Sequence, residues 1–124
     1  MNIKKIKQAI ENLREDLDGA LIATDVYPTG VGTSIAGYNE QPAATALFDR
    51  VTTYLVKSLD NAGFPGLNDY YLLDLKDNHL VVILYFEEGY QQGMLIDTTK
   101  VNLGILLNIA IPNVQKALRE AFKE

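Results

Sequence analysis

VNLGILLNIAIPNV, residues 101–114, reads two ways, and the fold turns on which is right. Leu103, Ile105, Leu107, Ile109 and Ile111 alternate as a strand would, whereas Leu103, Leu107, Ile111, Val114 and Leu118 recur at three or four residues like one face of a helix. The alternation of β-branched residues, with Pro112 at a helix start, favours a sixth strand followed by a short helix. As one long helix opening near Asn102, the segment must absorb a proline that removes the hydrogen bond to Asn108, at about 3 kcal/mol unless the helix bends.

The surrounding chain sets the terms of that choice. Its 124 residues are expected to form a single domain, 1–124, with room for a real hydrophobic core. Hydrophobic residues make up 48% and charged residues 22%, ordinary globular usage that argues against disorder. The absence of Cys excludes disulfides and thiol nucleophiles, and a single His makes a zinc site a poor fit, so no metal or other cofactor is expected. The net charge of −5 is unevenly placed: Asp60, Asp69, Asp74, Asp77, Glu87, Glu88 and Asp97 face only Lys76 between residues 60 and 97. Nucleic acid, which needs a basic stripe, is not the expected partner. Glu11, Arg14, Glu15 and Asp16 interrupt what a signal peptide would keep apolar, and no run approaches the roughly 18 apolar residues of a membrane span. The expected location is the cytoplasm, with no membrane insertion.

Ile3, Ile6, Ile10, Leu13 and Leu17 predict an amphipathic first helix that stops at Asp18 and Gly19. ALIAT (20–24) and TSIAGY (33–38) read as paired strands, with DVYPTGVG between them as a long turn. The second helix starts near Pro42 and carries two rows: Leu47, Val51, Leu55 and Leu59, and beside it Ala44, Phe48, Thr52 and Val56. One row can face a sheet and leave the other for something else. NAGFPGLN (61–68) closes this helix. YYLLDL (70–75) is apolar on one side and mixed on the other, as an edge strand would be. LVVILYF (80–86) is apolar on both faces, which marks a central strand covered twice. YQQGMLID (90–97) completes an antiparallel meander.

Chemistry-bearing motifs are sparse. TGVGTS is glycine-rich but lacks the Lys and following helix of a phosphate-binding loop, so the glycines read as turn residues. Glu87 and Glu88 are neighbours, and adjacent strand or turn residues point apart, which suits solvated turn charges better than an acid/base pair. His79 has no Ser or Cys nucleophile nearby and no second His at ligand spacing. Seven tyrosines offer large contact area with a polar tip, a composition that favours binding over catalysis.

DGALIATD after an amphipathic helix, SIAGYNE, a long helix, the meander YYLLDL, LVVILYF and GMLIDTT, and the Asn102, Leu103, Gly104 opening of the last helix together resemble the roadblock family of dynein light chains and bacterial gliding-type GTPase regulators. The likeness lies in the order and spacing of these segments over nearly the whole chain. It implies an α+β fold with a five-stranded antiparallel sheet, in the order helix, strand, strand, helix, strand, strand, strand, helix. The first and last helices would cover one face and the middle helix the other, as in profilin-like layering.

The resemblance further implies a dimer, homo- or heteromeric, in which the first meander strand pairs with its counterpart and the middle helices pack together. The expected interface residues are Ala44, Phe48, Thr52 and Val56 on the spare helix row, with Tyr70 and Leu72 on the edge strand. Members of the family are generally not catalytic and serve as scaffolds or as regulators of Ras-like GTPases. The expected function is therefore a non-catalytic homodimeric scaffold or regulator of a small Ras-like GTPase, with Tyr27, Glu87, Glu88 and Tyr90 as partner-binding residues. Two features depart from the family pattern: the long DVYPTGVG loop, and Pro112 within the last helix. The rival reading is a small-molecule-sensing profilin- or PAS-like domain, which needs a pocket in a sheet that looks filled by Leu, Ile and Val. For residues 101–114 the resemblance selects a bent or broken helix, because a sixth strand would leave one face of the sheet short of a cover.

Overall fold

The computed structural model describes residues 1–124. Helix α1 (Ile3–Leu17) opens where the Asn2 side chain accepts from the Lys5 N–H at 3.1 Å, which satisfies one of the free donors of the first turn. It buries Ile6, Ala9, Ile10, Leu13 and Leu17 along one stripe and ends at Asp18 and Gly19, both in the left-handed region.

Five strands follow: β1 (Leu21–Pro28), β2 (Ala36–Tyr38), β3 (Tyr70–Leu75), β4 (His79–Phe86) and β5 (Tyr90–Asp97). They form one sheet in the order β2-β1-β5-β4-β3, and every neighbouring pair is antiparallel. Strand β1 runs further than the sequence reading places it. Asp25, Val26, Tyr27 and Pro28, assigned to a turn, pair with Gly93, Gln92, Gln91 and Tyr90 of β5. The loop shrinks to residues 29–35, and β2 to three residues.

The alternation of β4 divides the molecule into layers. Leu80, Val82, Leu84 and Phe86 join Val26, Met94 and Ile96 in the cluster under α1 and the last helix, while Val81 and Ile83 face the middle helix, α2 (Pro42–Asn61). Both sets are buried, as an all-apolar central strand requires. Helix α2 has Pro42 in its first turn and is closed by Gly63 at φ 74°, with the Phe64 N–H bonded back to the Leu59 carbonyl.

Residues 103–111 are helical, and there is no sixth strand. The Asn102 side chain caps α3 (Leu103–Ile105), accepting from the Ile105 N–H at 2.8 Å. A π-helical turn (Leu106–Ala110) follows, and α4 (Ile111–Lys123) continues it with right-handed backbone at both junctions. Within the π turn the Ile111 N–H reaches back five residues to the Leu106 carbonyl. The wider turn receives Pro112, whose ring and missing N–H would disrupt regular α bonding to Asn108. These three pieces form one continuous third helix of an α+β fold. Helix α4 lies beside α1 and ends on Phe122, which packs edge-on to Phe86 at 5.1 Å and stacks on Tyr90 at 4.4 Å. No helix is long and apolar enough to cross a membrane.

Replacing Asn102 with Ala removes the cap at the start of the third helix. The expected loss is about 1 kcal/mol of stability, read as a lower urea midpoint with an unchanged slope.

Candidate functional site

Helix α2 meets the sheet through polar side chains. Thr45, Asp49 and Thr52 share its inner face at helical spacing and are buried, Thr52 completely. The Asp49 Oδ1 accepts from the Gly30 N–H at 3.0 Å and from the Gln91 Nε2 at 3.0 Å, so one carboxylate holds α2 to both the 29–35 loop and β5. The Gln91 Oε1 accepts from the Tyr27 hydroxyl at 3.3 Å, and Thr52 shares a 2.7 Å hydrogen bond with the Tyr71 hydroxyl on β3. At the start of α2, the Gln41 N–H donates to Asp25 Oδ2 at 3.0 Å. Asp25 Oδ1 is buried without a partner, and a Cβ at Gly37 would lie 2.8 Å from it and 2.5 Å from the Thr24 carbonyl. Glycine at 37 is therefore required by close backbone approach.

The buried face belongs to neither of the two expected helix rows, of whose eight residues only Thr52 is buried. Thr52, assigned to a free face, is inside the chain's own fold, while Leu47, from the row with more Leu and Val, is 47% exposed. The polar row is the buried one because the sheet beneath it offers Gln91 to Asp49 and Tyr71 to Thr52 as hydrogen-bond partners; nothing in hydrophobic periodicity marks such a face. The neighbouring flank of α2 is apolar: Ala44, Phe48, Val51 and Leu55 are half-buried, as is Val56. Between that flank and the sheet lies a cavity of about 210 Å³, with Ala23, Phe48, Leu75, Val81 and Ile83 in its wall. The apolar strands suggest a filled face here, but Ala23, Gly93 and Ala44 are too small to close the gap.

Strand β3 is an outer strand of the sheet with no chain beyond it. Tyr70 on it is 39% exposed and Leu72 half-buried, so both border the open edge. Leu75, absent from the expected interface set, is 44% exposed on the same strand, and Val51 and Leu55, also absent from it, lie half-buried on the apolar flank of α2; periodicity shows these two as an apolar row but assigns that row to the sheet.

The expected partner-binding residues do not form one site. Tyr27 is 1% exposed, because β1 continues through it and turns its ring beneath α2. It cannot contact a partner in this conformation, which corrects its assignment as a partner-binding residue. Tyr90 is half-buried against Phe122, and Glu87 and Glu88 are exposed at the β4–β5 turn, where Gly89 has φ 95°. His79 opens β4 opposite Leu75, its Nδ1 3.3 Å from the Lys76 carbonyl.

No family model matches the chain, and no curated protein matches it by sequence. Solved structures do. The chain has the roadblock fold: a Roadblock/LC7 domain from Streptomyces avermitilis superposes with a TM-score of 0.62 at 12% identity, covering 92% of this chain and 95% of that one. The likeness is greater to particular proteins with this fold. Myxococcus xanthus MglB gives a TM-score of 0.82 at 11% identity over 98% of this chain and 90% of that one. The gliding protein MglB of Thermus thermophilus gives 0.78 at 10% identity over 97% and 90%.

Two outcomes test the polar layer. Asp49→Ala strands the Gly30 N–H and leaves the Gln91 Nε2 only its longer bond to the Thr29 hydroxyl, so a loss of roughly 1–3 kcal/mol in chemical denaturation is expected. Burial raises the Tyr27 phenol, with nearby Tyr71, Asp49 and Asp25 adding to it, and burial likewise raises Tyr71 against the opposing effect of its Thr52 bond. The folded protein thus keeps protons that the unfolded chain loses near the ordinary value of 10.0. Stability should be fully present below that pH and fall as pH rises past it, with a shallower fall in Tyr27→Phe.

Proposed function

We propose that this chain is a regulatory or scaffold protein without catalysis of its own, which works as a homodimer and binds a small Ras-like GTPase. The observation that carries the reading is the near full-length superposition on MglB, joined to an uncovered β3 edge beside an apolar flank of α2. An open edge presents unpaired backbone groups and is a template for another strand. The second copy would add its β3 to this edge and lay its α2 against Ala44, Phe48, Val51, Leu55 and Val56, with Tyr70 and Leu72 at the seam. Thr52 supports this interface from inside, through its bond to Tyr71.

The GTPase would approach the acidic side of the meander. Asp74, Asp77, Glu87 and Glu88 are all exposed, whereas Asp69 is partly neutralised by Arg119 at 3.0 Å. A basic partner surface is favoured, with association steered by charge.

Solution scattering should report a dimer, and Val51→Glu should shift it to monomer while leaving the circular dichroism spectrum folded. A monomer in the unmodified protein at working concentration would overturn the dimer. Affinity for a GTPase recovered from the native cells should weaken as salt rises from about 50 to about 500 mM, roughly the range over which the screening length falls well below 10 Å. Salt-independent binding would remove the electrostatic part.

The cavity under α2 favours a second reading, a small-molecule sensor. At about 210 Å³ it is smaller than the usual ligand pocket of roughly 300–1,000 Å³. A metabolite that raised the melting temperature with the logarithm of its concentration above its Kd would support this reading.

A further inference from the structure

The chemistry of the cavity between α2 and the sheet selects what can enter it, and this inference rests on the second reading above, in which that cavity takes a small molecule. Its wall is mostly apolar, with Ala23, Phe48, Leu75, Val81, Ile83 and Leu95 in it. Space is left because Gly93, which stands between Asp25 on β1 and Ile83 on β4, contributes no side chain. A methyl placed there would meet only the Ile83 Cδ1 at 3.3 Å and the Tyr27 ring at 3.9 Å. The volume of about 210 Å³ exceeds the roughly 150 Å³ of an apolar protein cavity that admits benzene. One six-membered ring with a short substituent therefore matches it in size.

Asp25 is the only carboxylate in that wall, and it is 5% exposed. Its Oδ2 accepts from the Gln41 N–H at 3.0 Å, whereas its Oδ1 is buried with no partner. A carboxylate offers about four lone-pair sites, so most of its accepting capacity is unused. No Lys, Arg or His lies in the wall, and none of the ion pairs of the chain includes Asp25. A buried carboxylate without a counter-charge is costly, and a positively charged N–H donor relieves that cost best. Thr45, also in the wall, donates its hydroxyl to the Pro42 carbonyl at 3.0 Å and keeps lone pairs that can accept. An organic acid or a phosphate meets the opposite condition, because it would set a second negative charge beside Asp25 with no cation to offset either.

We infer that the cavity under α2 is a binding site for a small apolar amine, whose ring or branched alkyl body fills the space over Gly93 while its ammonium donates to the Asp25 carboxylate. The same carboxylate holds the start of α2 through Gln41, and Phe48 of that helix forms part of the wall. A bound amine thus ties the first half of α2 to β1 and β5, and its binding bears directly on how that helix is seated.

Benzylamine, toluene and benzoate share one ring and differ in charge, so they probe the site directly. In NMR titrations of the unmodified protein, benzylamine should shift the signals of Asp25, Gln41, Phe48, Ile83 and Gly93 to saturation. It should bind roughly tenfold or more tighter than toluene, as a hydrogen bond to a charged group implies, and benzoate should leave those signals in place. Asp25→Asn keeps an oxygen for the Gln41 N–H and removes the charge. It should abolish the advantage of benzylamine while toluene still binds. Equal affinity for benzylamine and toluene, or an advantage that survives in Asp25→Asn, would overturn the amine assignment and leave the small-molecule reading standing. Benzylamine shifts confined to the exposed turn at Glu87 and Glu88 would likewise refute it, as surface ion pairing. Wall signals that respond to none of the three probes would overturn both. If Asp25→Asn does not fold, the ranking of the three probes on the unmodified protein decides alone.

Discussion

Val81 and Ile83 on one side of β4, and Val82 and Leu84 on the other, are all buried, and a strand so placed has to be covered twice. The two covers are built by different physics. On the first side, α1 and α4 lie over Leu80, Val82, Leu84, Phe86, Met94 and Ile96, a continuous apolar cluster whose burial is non-directional and supplies most of the driving force for folding. On the second, α2 is fastened at defined points by Asp25, Asp49, Thr52, Tyr71 and Gln91. Hydrogen bonds of this kind add little net energy each but fix position, since leaving any member unpaired is strongly destabilising.

That division explains why the molecule has an unfinished region. A helix fixed by a polar inner face does not need to sink its apolar flank into the sheet, so Phe48 and its neighbours remain half-buried beside a cavity. The same carboxylate that seats α2 also holds the 29–35 loop through Gly30, so the loop and the helix form one mechanical unit. Any partner that displaced α2 would have to move that loop as well, and a partner on the loop would be felt along the helix.

Much of the fold was legible because periodicity reports apolar burial directly. The stripes of α1 and α4, the all-apolar β4 and the turn residues at Gly63 and Gly89 each announce an element and its limits. What escaped were positions where polar residues are buried. DVYP resembled a turn because Asp and Pro punctuate loops, yet Asp25 is in a strand since its carboxylate caps the start of α2, and Pro28 since it ends the β1 pairing opposite Tyr90. Thr45, Asp49 and Thr52 carried no signal of burial, as their partners lie far along the chain. By its type Tyr27 reads as a partner-binding residue, whereas its ring is buried under α2. The edge character of β3 was visible in YYLLDL, but which of its backbone groups are free depends on the register with β4, which only the structure supplies.

The π turn between α3 and α4 settles the segment that admitted two readings, and it does so by changing the phase of the helix. A π turn holds one residue more than an α turn. The row that periodicity connects, Leu103, Leu107, Ile111, Val114 and Leu118, is therefore not a single face: Leu103 is 54% exposed, while Leu106 and Ala110 are buried in line with Val114 and Leu118. In effect the chain carries an inserted residue that its core does not use. Deleting one residue there would bring the two halves of the helix into a single α phase and carry a different set of side chains onto β4. It would also return the ring of Pro112 to the carbonyl it now avoids. The extra residue and the proline thus compensate each other, and neither is neutral to lose without the other.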